Sequence, residues 1–112
     1  MVSSARYAGL DGTLPASQSR KVVTDELRGR LGFTGVTITD ALDTPGVEKL
    51  AGTAKTARSV AAAGTDLLLY SSCATAARAA SALAAGLADG SLPRAEFEAS
   101  VERVLALRAS LS

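Results

Sequence analysis

Apolar positions along the chain fall into two kinds of run. Val36-Thr-Ile-Thr-Asp40 is a short β-branched stretch of strand length. Asp66-Leu-Leu-Leu-Tyr70 is a near-continuous apolar run, as expected for a strand covered on both faces. Met1–Ala5 reads as the last residues of an earlier strand. Between these runs the apolar period is helical. Val22, Val23, Leu27 and Leu31 recur along a helix that Ser19 caps, that runs to about Arg30 and that Gly32 stops, while Lys21, Asp25, Glu26 and Arg30 take its other faces. Thr44-Pro45 starts a short helix that Gly52 interrupts, and Thr53 caps a second, Ala54–Ala63, which Gly64 ends. A further helix spans about Thr75–Ala88 and stops at Asp89-Gly90. Pro93 opens the last one, with Phe97, Val101, Val104, Leu105 and Leu111 as its apolar stripe.

The order is strand, helix, strand, helix, strand, helix, helix. Repeated βα units with apolar strands predict an α/β fold on a parallel sheet. The 112 residues fit one small domain, with no low-complexity linker to divide it. A hydrophobic content of 47% suffices for a core, but two Phe, two Tyr and no Trp mean that Ala, Val and Leu must fill it by close packing.

Charge and composition exclude several classes of function. A net charge of +1 with interspersed signs gives no electrostatic grip on nucleic acid or anionic lipid. No apolar stretch approaches the roughly 20 residues of a membrane span. Met1-Val-Ser-Ser lacks a signal-peptide pattern, which leaves the compartment open. One cysteine, Cys73, and no histidine exclude a disulfide framework and Cys/His zinc sites.

Asp40 is the foremost candidate for chemistry. It ends a buried strand, where α/β folds present their reactive groups as nucleophile, base or metal ligand. A capping or turn aspartate fits the same pattern. Asp43 makes a carboxylate pair conceivable, although Thr44-Pro45 after it favours a turn or helix-terminal role. Gly46 to Thr56 lacks the spacing of a phosphate-binding loop. Cys73, Ser3 and Ser4 have no histidine to activate them, so Cys73 reads as a small, partly buried thiol. Helix lysines and arginines read as solvated faces.

A family resemblance rests on longer motifs. Met1-Val-Ser-Ser-Ala-Arg-Tyr7, Leu14-Pro-Ala-Ser17 and Leu27-Arg-Gly-Arg-Leu-Gly-Phe33-Thr-Gly-Val36-Thr-Ile-Thr-Asp40-Ala-Leu42 together resemble glycoside hydrolase family 3, in its β-N-acetylhexosaminidase-like branch. Ala61-Ala-Ala-Gly64-Thr-Asp66-Leu-Leu-Leu69 resembles that family's AGxDxxL strand, and Glu102–Leu107 its closing helix. The resemblance implies a partial (β/α)8 TIM-like barrel: about the last two to three βα units plus a closing helix, where a whole barrel takes about 250 residues. Residues 1–112 are then expected to be a single C-terminal fragment of the barrel domain.

The same resemblance makes Asp40 the nucleophile of a retaining β-glycosidase and puts Arg6 and Tyr7 near the sugar. It implies a carbohydrate partner, a β-linked amino sugar or glucoside, with no cofactor and no metal. The acid/base is a His–Asp pair outside these residues, so the isolated chain is expected to be inactive. Two departures fall near the sugar-binding face: Ser4 stands where members often carry histidine, and Thr44 where many carry methionine.

Two other readings compete. One is a small signalling or interaction module that phosphorylates Asp40 as receiver-like domains do, which needs an acidic Mg²⁺ pair and a later lysine. The other is an inert partial barrel. In either barrel reading, exposed strand edges invite self-association.

Overall fold

Glycine and proline set the element boundaries in the computed structural model, which describes residues 1–112. A single 3₁₀ turn, Ala16–Gln18, leads into a π-helix, Lys21–Arg30. Strand β1 is Ile38–Ala41 and helix α1 is Pro45–Ala51. Helix α2, Thr53–Ala63, follows a Gly52 with φ 77° and ends at Gly64 with φ 97°. Strand β2 is Leu67–Leu69, and helices α3, Cys73–Asp89, and α4, Arg94–Ser110, complete the chain. Proline opens α1 at its first turn, where its missing N–H costs no hydrogen bond. Ser72 caps α3 by accepting from the Thr75 amide. That helix therefore begins at Cys73, two residues before the expected Thr75, and Cys73 is exposed rather than partly buried.

The helix expected from Ser19 to Arg30 is present but wound i→i+5, with the Leu31 amide donating to the Glu26 carbonyl. Ten residues of apolar period do not distinguish this winding from an α-helix. Ser19 does turn its hydroxyl oxygen to the Val22 amide.

The strands β1 and β2 pair in parallel, as the βα alternation requires. Their register shifts between Ile38 and Ala41. There the Leu69 amide donates to the Thr39 hydroxyl at 3.0 Å. The Met1–Ala5 segment joins the other side of β1 through one parallel bridge, Val2 to Thr39. The Val2 amide donates to the Ile38 carbonyl at 2.7 Å, and the Asp40 amide to the Val2 carbonyl at 3.3 Å. The architecture is thus mixed α/β with a parallel core.

The core is built from small residues. Leu42, Val47 and Val60 cluster with Leu68 and Tyr70 packed against them, and Ala57, Ala63, Ala79 and Ala82 are buried along the helices. Two expectations fail at the periphery. Leu69 is 40% exposed, so β2 is not covered on both faces. Of the predicted stripe on α4, Val101, Leu105 and Leu111 are exposed, and the one buried residue of that helix is Ser100. Phe97 and Val104 of the same stripe are half-buried. No helix is long and apolar enough to cross a membrane.

Candidate functional site

The parallel pairing carries Asp40 to the C-terminal end of β1, half-buried, with the preceding Thr39 fully buried on the other face. The Val2 bridge brings the first residues of the chain alongside. Two residues beyond that bridge, Ser4 meets the carboxylate. Its hydroxyl donates to Oδ1 of Asp40 at 2.7 Å and its amide to Oδ2 at 3.2 Å. No lysine or arginine pairs with Asp40. A carboxylate has about four lone-pair sites, so two of them remain free of protein partners.

Asp43 is a separate device. It accepts from the Ser71 amide at 3.0 Å and the Ser72 amide at 2.9 Å, tying the loop after β1 to the loop that opens α3. The Ser71 and Ser72 N–H groups hold its carboxyl below the usual carboxylate range. It therefore serves a helix N-terminus, but that of α3 rather than α1. Asp40 and Asp43 share no hydrogen-bond partner.

Of the candidate sugar contacts, Arg6 is exposed and forms no ion pair, while Tyr7 is exposed with its hydroxyl 3.2 Å from Ser3 Oγ. Neither hydrogen-bonds to Asp40. Behind them, Asp11 anchors the loop by accepting from the Ser19 hydroxyl at 2.7 Å, the Thr13 hydroxyl at 2.7 Å and the Thr13 amide at 3.0 Å. Those bonds, Ser19 foremost, lower its carboxyl pKa.

At the opposite end of the sheet lies a cluster that residue patterns did not reveal. The Asp66 side chain is fully buried and accepts from two guanidinium groups, Arg28 at 2.7 Å and Arg103 at 2.8 Å, and from the Thr37 amide at 2.8 Å. These arginines are therefore not solvated, as the reading of helix cations had it, but clamp the start of β2 to the π-helix and α4. Burial pushes the Asp66 carboxyl up; the Arg103, Thr37 and Arg28 interactions outweigh it and leave the pKa lowered. No group of three or more His, Cys, Asp or Glu comes together that could hold a metal. A phosphoacceptor module thus finds no support here.

Sequence and structure comparisons agree on kinship. The sequence model described as "Glycosyl hydrolase family 3 N terminal domain" matches residues 1–107. An uncharacterized secreted glycosyl hydrolase of Arthroderma benhamiae is 41% identical over 114 residues, covering 100% of this chain and 32% of that protein. Among solved structures, CbsA from Thermotoga neapolitana superposes with a TM-score of 0.92 at 25% identity, over 98% of this chain and 25% of its own. The β-N-acetylhexosaminidase from Beutenbergia cavernae superposes with a TM-score of 0.85 at 34% identity, over 95% of this chain and 32% of its own. This chain spans about a third of the length of such relatives, or less.

Proposed function

The chain belongs to glycosyl hydrolase family 3, and from that membership we propose that it is the nucleophile-bearing part of a retaining β-glycosidase acting on β-linked N-acetylhexosaminides. It corresponds in this reading to the C-terminal portion of a (β/α)8 barrel. Asp40 is the nucleophile. The observation that carries the reading is the contrast between its two strand-end carboxylates. Asp66 is spent on two arginines, whereas Asp40 is held by one serine and keeps lone pairs free, with no cation to quench them.

An Asp40 oxygen attacks the anomeric carbon while the bond to the glycosidic oxygen breaks with its electron pair. Water then hydrolyses the covalent glycosyl ester. The departing oxygen needs a proton from a group about 5–5.5 Å from the nucleophile in retaining enzymes. Asp43 is unsuited to supply it, because its amide contacts keep it ionised. The family resemblance implies a His–Asp acid/base, and this chain has no histidine, so the reading assigns the acid/base to residues beyond these 112. Alone, the chain is expected to show negligible turnover.

The test is a chimaera in which this chain replaces its matched segment of the Beutenbergia cavernae enzyme. It should hydrolyse 4-nitrophenyl N-acetyl-β-glucosaminide. Asp40→Asn should lower its turnover roughly 10³-fold or more, as removal of a nucleophile does. A 5-fluoro β-glycosyl fluoride should label the peptide containing Asp40. A label on any other residue overturns the assignment.

A further inference from the structure

Ser4 reaches Asp40 across 36 residues of sequence and touches both oxygens of one carboxylate. Its own position is pinned from both sides. The Ser3 carbonyl accepts from the Ser17 amide at 3.0 Å and the Ala5 carbonyl from the Ala16 amide at 2.8 Å, and Ser17 is fully buried. The Val2 bridge fixes the residues before it. A serine placed this firmly is a rigid two-point holder. An amide and a hydroxyl directed at the two oxygens set the plane of the carboxylate as well as its location.

The two bonds are unequal, and the inequality has a chemical consequence. A 2.7 Å O–H···O⁻ bond is a short, charge-assisted contact, whereas the 3.2 Å amide bond lies at the long limit for N–H donors. We infer that Ser4 is a positioning residue for Asp40 that makes its oxygens inequivalent, leaving Oδ2 as the attacking atom and Oδ1 as the oxygen that stays hydrogen-bonded throughout. This rests on the reading of Asp40 as nucleophile. In the first step an Oδ2 lone pair forms the bond to the anomeric carbon as the glycosidic C–O bond breaks with its electron pair. Oδ1 becomes the ester carbonyl oxygen and still accepts from the Ser4 hydroxyl. When water displaces the ester, the C–Oδ2 electron pair returns to Asp40. The Ser4 hydroxyl then stabilises the carboxylate as it departs, and the water's proton passes to the acid/base outside the chain.

The experiment has a structural and a kinetic arm. In the 112-residue chain, NMR couplings of the Asp40 β-protons should report one side-chain rotamer in the wild type and in Ser4→Thr, and averaged rotamers in Ser4→Ala, at an unchanged melting temperature. In the chimaera, 2,4-dinitrophenyl β-glycosides carry a leaving group that needs no protonation and so isolate the nucleophile. There Ser4→Ala should lower kcat about tenfold, the loss of one charge-assisted bond, with KM unchanged and with Ser4→Thr restoring the rate. If Ser4→Ala fails to fold, the near-isosteric Ser4→Cys, a weak donor, should show the same loss. A single Asp40 rotamer with unchanged kcat in these variants overturns the inference, as does a loss that Ser4→Thr leaves unrepaired. Asp40→Asn separates the two levels. If that variant retains turnover, the nucleophile reading fails and Oδ2 loses its role with it. If turnover vanishes while Ser4→Ala matches the wild type, only the role of Ser4 falls.

Discussion

Asp66 has no solvent-exposed side-chain surface, and its oxygens are divided between Arg28 and Arg103, which are themselves largely covered. Removing one member of such a cluster leaves uncompensated buried charge. Asp66→Asn is therefore expected to destabilise the chain by about 3 kcal/mol in urea titration; a change within about 0.5 kcal/mol, typical of a surface site, would contradict the buried clamp. The pH dependence follows from the sign of the shift. The folded-state pKa lies below the ordinary value of 3.8, so the stabilisation is fully present above that value. It is lost as pH falls through the lowered folded-state value. Stability measured as pH drops below 4 should decline more steeply in the wild type than in Asp66→Asn. The sequence carried half of this: the AGxDxxL pattern singled out the aspartate's strand. The arginines lie 38 and 37 residues away on faces whose period looks polar, and a single sequence does not report which cations fold inward.

Gly64 shows how much one junction controls at the level of elements. It ends α2 at φ 97°, and a Cβ there would meet the Thr24 hydroxyl at 2.7 Å. That hydroxyl donates to the Ala63 carbonyl at 2.8 Å, joining the π-helix to the end of α2. Gly64→Ala thus meets two costs, left-handed backbone and a displaced hydrogen bond. It should lower stability by about 2 kcal/mol in sum. Calorimetry should show a melting temperature several degrees lower, and Gly64→Ala in a Thr24→Ala background should cost less, because the steric partner is gone. The existence and order of the helices were legible because glycine, proline and serine mark their ends through backbone geometry. The π winding was not, since it depends on hydrogen-bond closure rather than on the apolar period. The strand pairing was legible as parallel from the βα alternation. Its irregular register was not, because a side-chain contact such as Leu69 N–H to the Thr39 hydroxyl lies at the shift and has no signature in the apolar period.

At the scale of the whole molecule, only 21 of 112 residues are buried, although a radius of gyration of 13.5 Å is close to that of a compact domain of this length. The difference lies in exposed apolar side chains. Val101, Leu105 and Leu107 project from α4, Leu111 from the residue that follows it, and Leu69 from β2. Apolar period predicts that a stripe will be covered, and it carries no information on whether the cover comes from the same chain. The outer edge of β2 also has no strand partner, which adds unpaired backbone groups to the exposed carbon. The isolated chain should therefore self-associate. Sedimentation velocity should show the mean mass rising with concentration, and the dissociated form should regain prominence in Leu105→Lys with Leu107→Glu. Both changes lie on exposed positions, so the melting temperature of the dissociated form should stay the same. A single monomeric species up to the solubility limit would mean that these residues tolerate water without a partner. If the catalytic chimaera is active, the same substitutions should instead weaken it, since on the proposed barrel reading the surfaces that drive association would there seat the remaining residues around Asp40.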